Sequence, residues 1–322
     1  MNFLLHLDQS RTISGGGYIA MRRFARALRE AGHTVVESAE HRLQTAGKAQ
    51  AEQYNELLLR DTAVLLTSAA TRTRIVRRQA RARRIPIVAF VHSALSIDRR
   101  LDADLVVWGS AALRSYWQRH SSGAVPSSQE APNWKEAIIW PLIYPEDVRV
   151  REQIDSRITL VNLQPEKGSR IFWEMARRAP DLQFLGVRGW GTQDVPSSIP
   201  PNCEILPWIS DPRMIYERTK VLLYMKGEGS SKAWLNGVGL TALEAACSGI
   251  PTVAFTGKGL LESLKGCAAW VPTFDPENWL DTIRQVLLVY PSWSASALEK
   301  AEKLPTPRSQ ALYFLQKVRE IL

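Results

Sequence analysis

Asn236-Gly-Val-Gly-Leu-Thr-Ala-Leu-Glu244 runs directly into Ala245-Ala-Cys-Ser-Gly-Ile-Pro-Thr-Val-Ala254. A glycine-bearing loop opens a helix, a carboxylate follows one turn in, and Gly249-Ile-Pro251 ends the helix before a β-branched strand. The first N–H groups of a helix have no partner within it, so they suit a diphosphate. Gly239, Leu240 and Thr241 supply those amides. Glu244 is spaced to accept hydrogen bonds from the hydroxyls of a ribose or another sugar.

Outward from this run, β-branched segments alternate with helical patterns along the chain, the mark of parallel sheets wrapped by helices. Strands are predicted at residues 3–6, 34–36, 63–66, 87–91 and 105–107, with helices at 18–31, 50–59, 72–84 and 111–118 between them. Residues 121–145 turn to Ser-Ser-Gly, Pro-Ser-Ser-Gln and Pro-Asn-Trp, a linker composition. The rhythm resumes with strands at 158–161, 183–186, 204–206, 221–224 and 252–255 and a helix at 170–178. The expected architecture is α/β, two Rossmann-like doubly wound domains, at 1–145 and 146–304, with a final segment 305–322 free to pack back on the first domain.

The chain has 322 residues, 45% of them apolar, enough for two cores. It contains no apolar run of eighteen residues, and its start, Met1-Asn-Phe-Leu-Leu-His6, is too short and polar for a signal peptide, so a cytoplasmic location is expected. Cys203, Cys247 and Cys267 lack metal-ligand spacing and read as reduced thiols. The net charge of +9 fits an anionic partner. Arg72, Arg74, Arg77, Arg78, Arg81, Arg83 and Arg84 crowd one predicted helix, the outer helix of a sheet domain or a peripheral contact for anionic lipid headgroups. No nucleic-acid-binding pattern accompanies them.

Three loops follow predicted strands. Gly15, Gly16 and Gly17 separate the first strand from the first helix and let backbone amides approach a ligand closely, although the dinucleotide fingerprint is absent. Leu163-Gln-Pro-Glu-Lys167-Gly168 opens the first helix of the second half. His92 comes immediately after the 87–91 strand, and His6 closes the first.

Taken together, the run at 236–254 resembles the retaining GT-B glycosyltransferases of the large family-four type, whose signature reads E-G-F-G-x-x-x-x-E-A-x-A-x-G-x-P-V-[IV]-A. Gly239, Glu244, Ala245, Gly249, Pro251, Val253 and Ala254 fit its register, and Asn236 stands where the first Glu belongs. The resemblance is strongest over residues 158–255. It implies two domains facing across a cleft, donor in the second half and acceptor in the first, with a nucleotide-diphosphate sugar as co-substrate and no cofactor or metal. Lys167 is then the charge set against the donor phosphates, in a match to x-x-P-E-K-G. The arginine that many members carry a few residues earlier is missing, since Val161-Asn162-Leu163 stands there, and Arg188 is its candidate replacement. The resemblance also sets Gly15, Gly16 and Gly17 towards the diphosphate, Trp208 and Ile209 along the nucleotide base, and His92 and Asn236 near the reacting sugar. Lys226-Gly-Glu-Gly229 is a weaker candidate for the donor sugar. Two other readings stay open: a nucleotide-sugar-binding homologue without catalysis, and a sugar-nucleotide epimerase.

Overall fold

Strand β1 (Asn2–Leu7) is buried continuously from Phe3 to Leu7. That pattern fits a parallel strand covered on both faces, where side chains alternate between two apolar layers and none faces water. Leu4 joins one layer with Leu65, Val76, Ala80, Ile87, Ala89, Val91, Val106 and Trp108. Phe3 points to the other, where Phe24, Phe90 and Phe314 meet ring to ring, with centroids 4.7 Å apart for Phe24 and Phe314. The computed structural model describes residues 1–7, 15–39, 53, 56–69, 73–92, 101–120, 134–225 and 237–322.

The described chain divides into two units, Met1–Leu142 with Pro305–Leu322, and Ile143–Leu304. In the first, β2 (Thr34–Ala39), β1, β3 (Val64–Ser68), β4 (Ile87–Val91), β5 (Leu105–Trp108) and β6 (Lys135–Ile138) line up in that order, every pair parallel. The order reverses between β1 and β3. The Gly16–Glu30 helix covers one face, and the Pro307–Arg319 helix packs on it. Pro307 at its first position and the Thr306 hydroxyl, which accepts the Ser309 amide at 3.1 Å, set the start of that last helix.

Strand β6 corrects the reading of 121–145 as linker throughout. Its Glu136 accepts the Trp108 indole N–H at 3.2 Å and pairs with Arg114 at 2.6 Å, while its backbone extends the sheet beyond β5. Pairing and these side-chain bonds hold it, where its own four residues offer little apolar pattern.

The second unit places β7 (Arg157–Val161), β8 (Phe184–Val187), β9 (Cys203–Leu206), β10 (Thr219–Tyr224), β11 (Thr252–Phe255) and β12 (Ala268–Val271) in the order β12-β11-β10-β7-β8-β9, again all parallel. Counted from its own first strand this is the 3-2-1-4-5-6 arrangement, and its direction reverses between β7 and β10. The Ser169–Arg178 and Pro276–Leu288 helices close one face through Phe172, Trp173, Trp279 and Ile283. At the N-terminal edge Asp155, Arg157, Glu204 and Arg218 form one ion-pair cluster, with Arg218 to Glu204 at 2.6 Å.

The arginine-rich segment forms the Arg74–Ala82 helix, with Arg72 outside the described residues. Its charge is not all at the surface. Arg77 is buried and donates to the Thr73 hydroxyl at 2.8 Å, and Arg81 is held by Asp102 and Asp104 at 2.7 and 2.8 Å, which raises its pKa further. Val76 and Ala80 form the buried seam. No described helix is long and apolar enough to cross a membrane.

Candidate functional site

In an open parallel sheet the loops leaving two strands on either side of a reversal diverge, and the gap between them is where ligands enter. In the second unit those loops follow β7 and β10. After β7 the chain takes a left-handed step at Asn162 (φ 73°), then a single 3-10 turn at Pro165–Lys167. It next passes through Gly168 (φ 84°) into the Ser169–Arg178 helix. Gly168 is required twice over. Its backbone is left-handed, and a Cβ there would lie 2.4 Å from Met225 Cβ, at the end of β10.

On the other side of β10, Gly239 (φ 70°) is the N-cap of the Leu240–Ala246 helix, and a Cβ on it would lie 2.5 Å from Leu260 Cδ2 and 3.5 Å from the Tyr224 ring. Gly168 therefore rests on Met225 and Gly239 on Tyr224, two adjacent residues. The loops carrying Lys167 and the 239–241 amides are thus brought together over the end of one strand. The helix has only seven residues, so whatever it offers an anion comes from its first amides. Lys167 is half-buried.

Glu244 is 7% exposed and lies on the inner side of this short helix, where its Oε2 accepts the Tyr216 hydroxyl at 2.7 Å. Tyr216 ends the Arg213–Tyr216 helix that follows β9, so this bond ties the β9 loop to the helix beyond β10. Sequence reasoning placed Glu244 but missed its partner, because nothing in a lone Tyr predicts a contact across 28 positions. Tyr224 itself is desolvated by its neighbours, which pushes its phenol up to about 12.

The loops after β8 and β9 complete this edge. Arg188 is exposed at the end of β8, its amide donating to the Leu206 carbonyl at 3.0 Å. Trp208 is 39% exposed and Ile209 half-buried just past β9. Asp211 accepts the Arg213 amide at 3.0 Å. Asn162 and Gln164 are buried where the sequence lacks its cation, and both are bonded into the loop after β8. Asn236 and the 226–229 segment lie outside the described residues.

In the first unit Gly17 and His92 come together: a Cβ on Gly17 would lie 3.4 Å from His92 Cβ. Gly15 and Gly16 begin the same helix, whose N-cap Gly15 brings no side-chain bond. His92 keeps part of its surface exposed, yet both ring nitrogens are enclosed without a partner among the described residues. Burial pushes its pKa down to about 4, so near neutral pH the ring is uncharged. His6 is a packing residue, 2% exposed and bonded to the Ser38 hydroxyl at 3.0 Å, with its pKa likewise down to about 4. The three cysteines are free, and burial raises Cys203 to about 12 and Cys267 to about 11. Among the described residues no three of His, Cys, Asp and Glu are grouped to hold a metal ion.

Comparison with solved structures agrees with these two sheets over their full extent. Anabaena HepE in complex with UDP-glucose matches at a TM-score of 0.77 and 13% identity, over 99% of this chain and 100% of that one. The fold is GT-B. Sucrose-phosphate synthase from Thermosynechococcus elongatus shares the GT-B fold at a TM-score of 0.72 and 17% identity, over 99% of this chain and 98% of its own. A glycosyltransferase from Rickettsia africae matches at 0.74 and 12%, over 99% and 98%. No protein-family model and no curated protein sequence matches the chain.

Proposed function

We propose that this chain is a glycosyltransferase that moves a sugar from a nucleotide-diphosphate sugar to a hydroxyl acceptor with retention of anomeric configuration. The observation that carries this reading is the meeting of the Lys167 loop and the Gly239 helix start over Tyr224 and Met225, at the reversal of a 3-2-1-4-5-6 sheet. The resemblance of 236–254 to the family-four signature points to the same place. So does the nature of a GT-B neighbour, HepE, whose structure holds UDP-glucose.

In this reading the second unit takes the donor. The Lys167 ammonium and the amides at Gly239, Leu240 and Thr241 stabilise the departing diphosphate, Arg188 adds a second positive charge, and Glu244 takes the ribose hydroxyls. The acceptor falls to the first unit, where the neutral His92 ring orients a hydroxyl. Asn236 carries an amide where the family has a carboxylate, so we assign no enzyme nucleophile. The bond from the anomeric carbon to the diphosphate oxygen breaks, the acceptor oxygen bonds to that carbon on the same face, and the acceptor proton passes to the leaving diphosphate. No metal is assigned a role.

A second reading, a nucleotide-sugar binder that transfers nothing, is favoured by Asn162, whose buried amide stands in place of the family cation. Thermal shift against UDP-, GDP-, ADP- and dTDP-sugars tests the reading first, because a ligand that binds only the folded state raises the melting temperature. Donor hydrolysis or transfer by the same preparation separates catalysis from binding alone. If none of the four classes shifts the transition, the glycosyltransferase assignment is wrong.

A further inference from the structure

Trp190 combines two properties that do not ordinarily go together: its side chain is 44% exposed, and its polar atoms are fixed from beneath by buried amides. Its carbonyl accepts from Gln164 Nε2 at 2.5 Å and from Gln193 Nε2 at 3.1 Å. Turned to the orientation that satisfies both of its polar atoms, the Asn162 amide donates its nitrogen to the same carbonyl at 3.3 Å and accepts the Trp190 indole N–H at 3.2 Å. Asn162 and Gln164 are 6% and 3% exposed. Gln193 in turn accepts the Gly189 amide at 3.0 Å.

The loop is clamped to the segment that bears Lys167. The Asp194 amide donates to the Leu163 carbonyl at 2.6 Å, Ser169 donates to the Asp194 carboxylate at 2.6 Å, and the Trp173 indole donates to the Asp194 carbonyl at 2.8 Å. Packing is close throughout, since a Cβ on Gly189 would lie 2.5 Å from Asn162 Cγ. Satisfied buried amide networks rigidify what they hold. Here the thing held is an indole face in water, which core packing alone does not account for.

The position of that face says what it meets. Strands β10, β7, β8 and β9 are consecutive in the sheet, about 4.8 Å apart, and their C-terminal ends carry in turn Gly239, Lys167, Trp190 with Arg188, and Trp208. Cationic and amide groups thus give way, within one to two strand spacings, to exposed aromatic ones. A nucleoside diphosphate has the same polarity along its length, an anion at one end and a flat π-face at the other. We propose that Trp190 is the stacking platform for the nucleobase of the donor, held in place by Asn162, Gln164 and Gln193. This rests on the glycosyltransferase reading of the second unit and extends it. The buried amides that occupy the place of the missing cation would then serve the base end of the donor.

Isothermal titration of the whole chain with UDP, ADP and inorganic pyrophosphate, in wild type, Trp190→Ala and Trp190→Phe, tests this. Loss of the indole face is expected to weaken the better-binding nucleotide by about tenfold to a hundredfold in W190A. Pyrophosphate should bind W190A as it binds wild type, while the melting temperature should fall modestly because the buried Asn162 oxygen loses its indole donor. W190F keeps a ring, so it should stay within about threefold of wild type while losing most of the nucleotide-induced tryptophan quenching. Equal nucleotide affinity in W190A and wild type overturns the platform and leaves the glycosyltransferase reading standing. Pyrophosphate affinity falling in parallel with nucleotide affinity likewise overturns it, since the loop would then act on the phosphates. A wild type that binds no nucleotide removes both.

Discussion

Tyr216 donates its hydroxyl proton to Glu244 Oε2 across 2.7 Å, and both side chains are enclosed, at 1% and 7% exposure. The bond fixes the rotamer of the carboxylate assigned to the ribose. Tyr216→Phe keeps the ring and removes one bond to a buried acid, which costs about 1.5–3 kcal/mol. Chemical denaturation should show that loss, and titration should show weaker nucleotide binding with pyrophosphate affinity unchanged. A stable Y216F with full nucleotide affinity would mean that Glu244 needs no such support.

Lys167→Ala removes the ammonium that we assign to the leaving diphosphate. Turnover should fall by about two to three orders of magnitude, the scale on which single electrostatic groups act in such steps. The lysine is half-buried at a helix start, so thermal stability should change little. An unchanged rate in a transfer assay would refute its role.

Gly168→Ala asks for a side chain where the backbone is left-handed and Met225 Cβ is 2.4 Å away. Strain and overpacking together should destabilise the second unit by roughly 2–4 kcal/mol. A Met225→Ala partner change would relieve part of the collision but not the strain. The double variant should therefore recover only some of the melting temperature, and full recovery would show that φ at 168 is not limiting.

His6 and His92 are both kept neutral by burial, with pKa values down to about 4 from 6.5. Above pH ~6.5 neither folded nor unfolded chain protonates them, and their share of stability is complete. Between about 6.5 and 4 the unfolded chain binds protons that the folded chain refuses, so stability falls as pH falls. Below about 4 both states are protonated and these groups add no further loss. The full effect is about 3 kcal/mol per ring. Urea unfolding at pH 7, 5.5 and 4.5 should trace the decline, and H92Q should make it shallower by up to one proton. If H6Q and H92Q both leave the slope untouched, the rings are not buried as neutral species.

The βα rhythm was legible because each central strand is covered on both faces and so must be apolar along its length, as in Ile87–Val91 and Thr252–Phe255. Edge strands escape that demand. Lys135–Ile138 is held by backbone pairing to β5 and by Glu136, and its letters read as linker. At the candidate site, Glu244, Lys167 and His92 were marked by the loops they follow. Tyr216, Asn162, Gln164 and Gln193 were not, because their meaning lies in partners on other loops. Nor does charge counted along residues 72–84 reveal that Arg77 turns inward or that Arg81 already has two carboxylates.

Phe314 stands among Phe3, Phe24 and Phe90, yet it arrives near the end of the chain. During vectorial synthesis the second unit, residues 143–304, leaves the ribosome entire while the first still waits for one of its walls. Until then Phe3, Phe24 and Phe90 lack the ring that packs against all three. A truncation ahead of residue 307 makes that interval permanent, and the nascent first half becomes a substrate for chaperones and proteases.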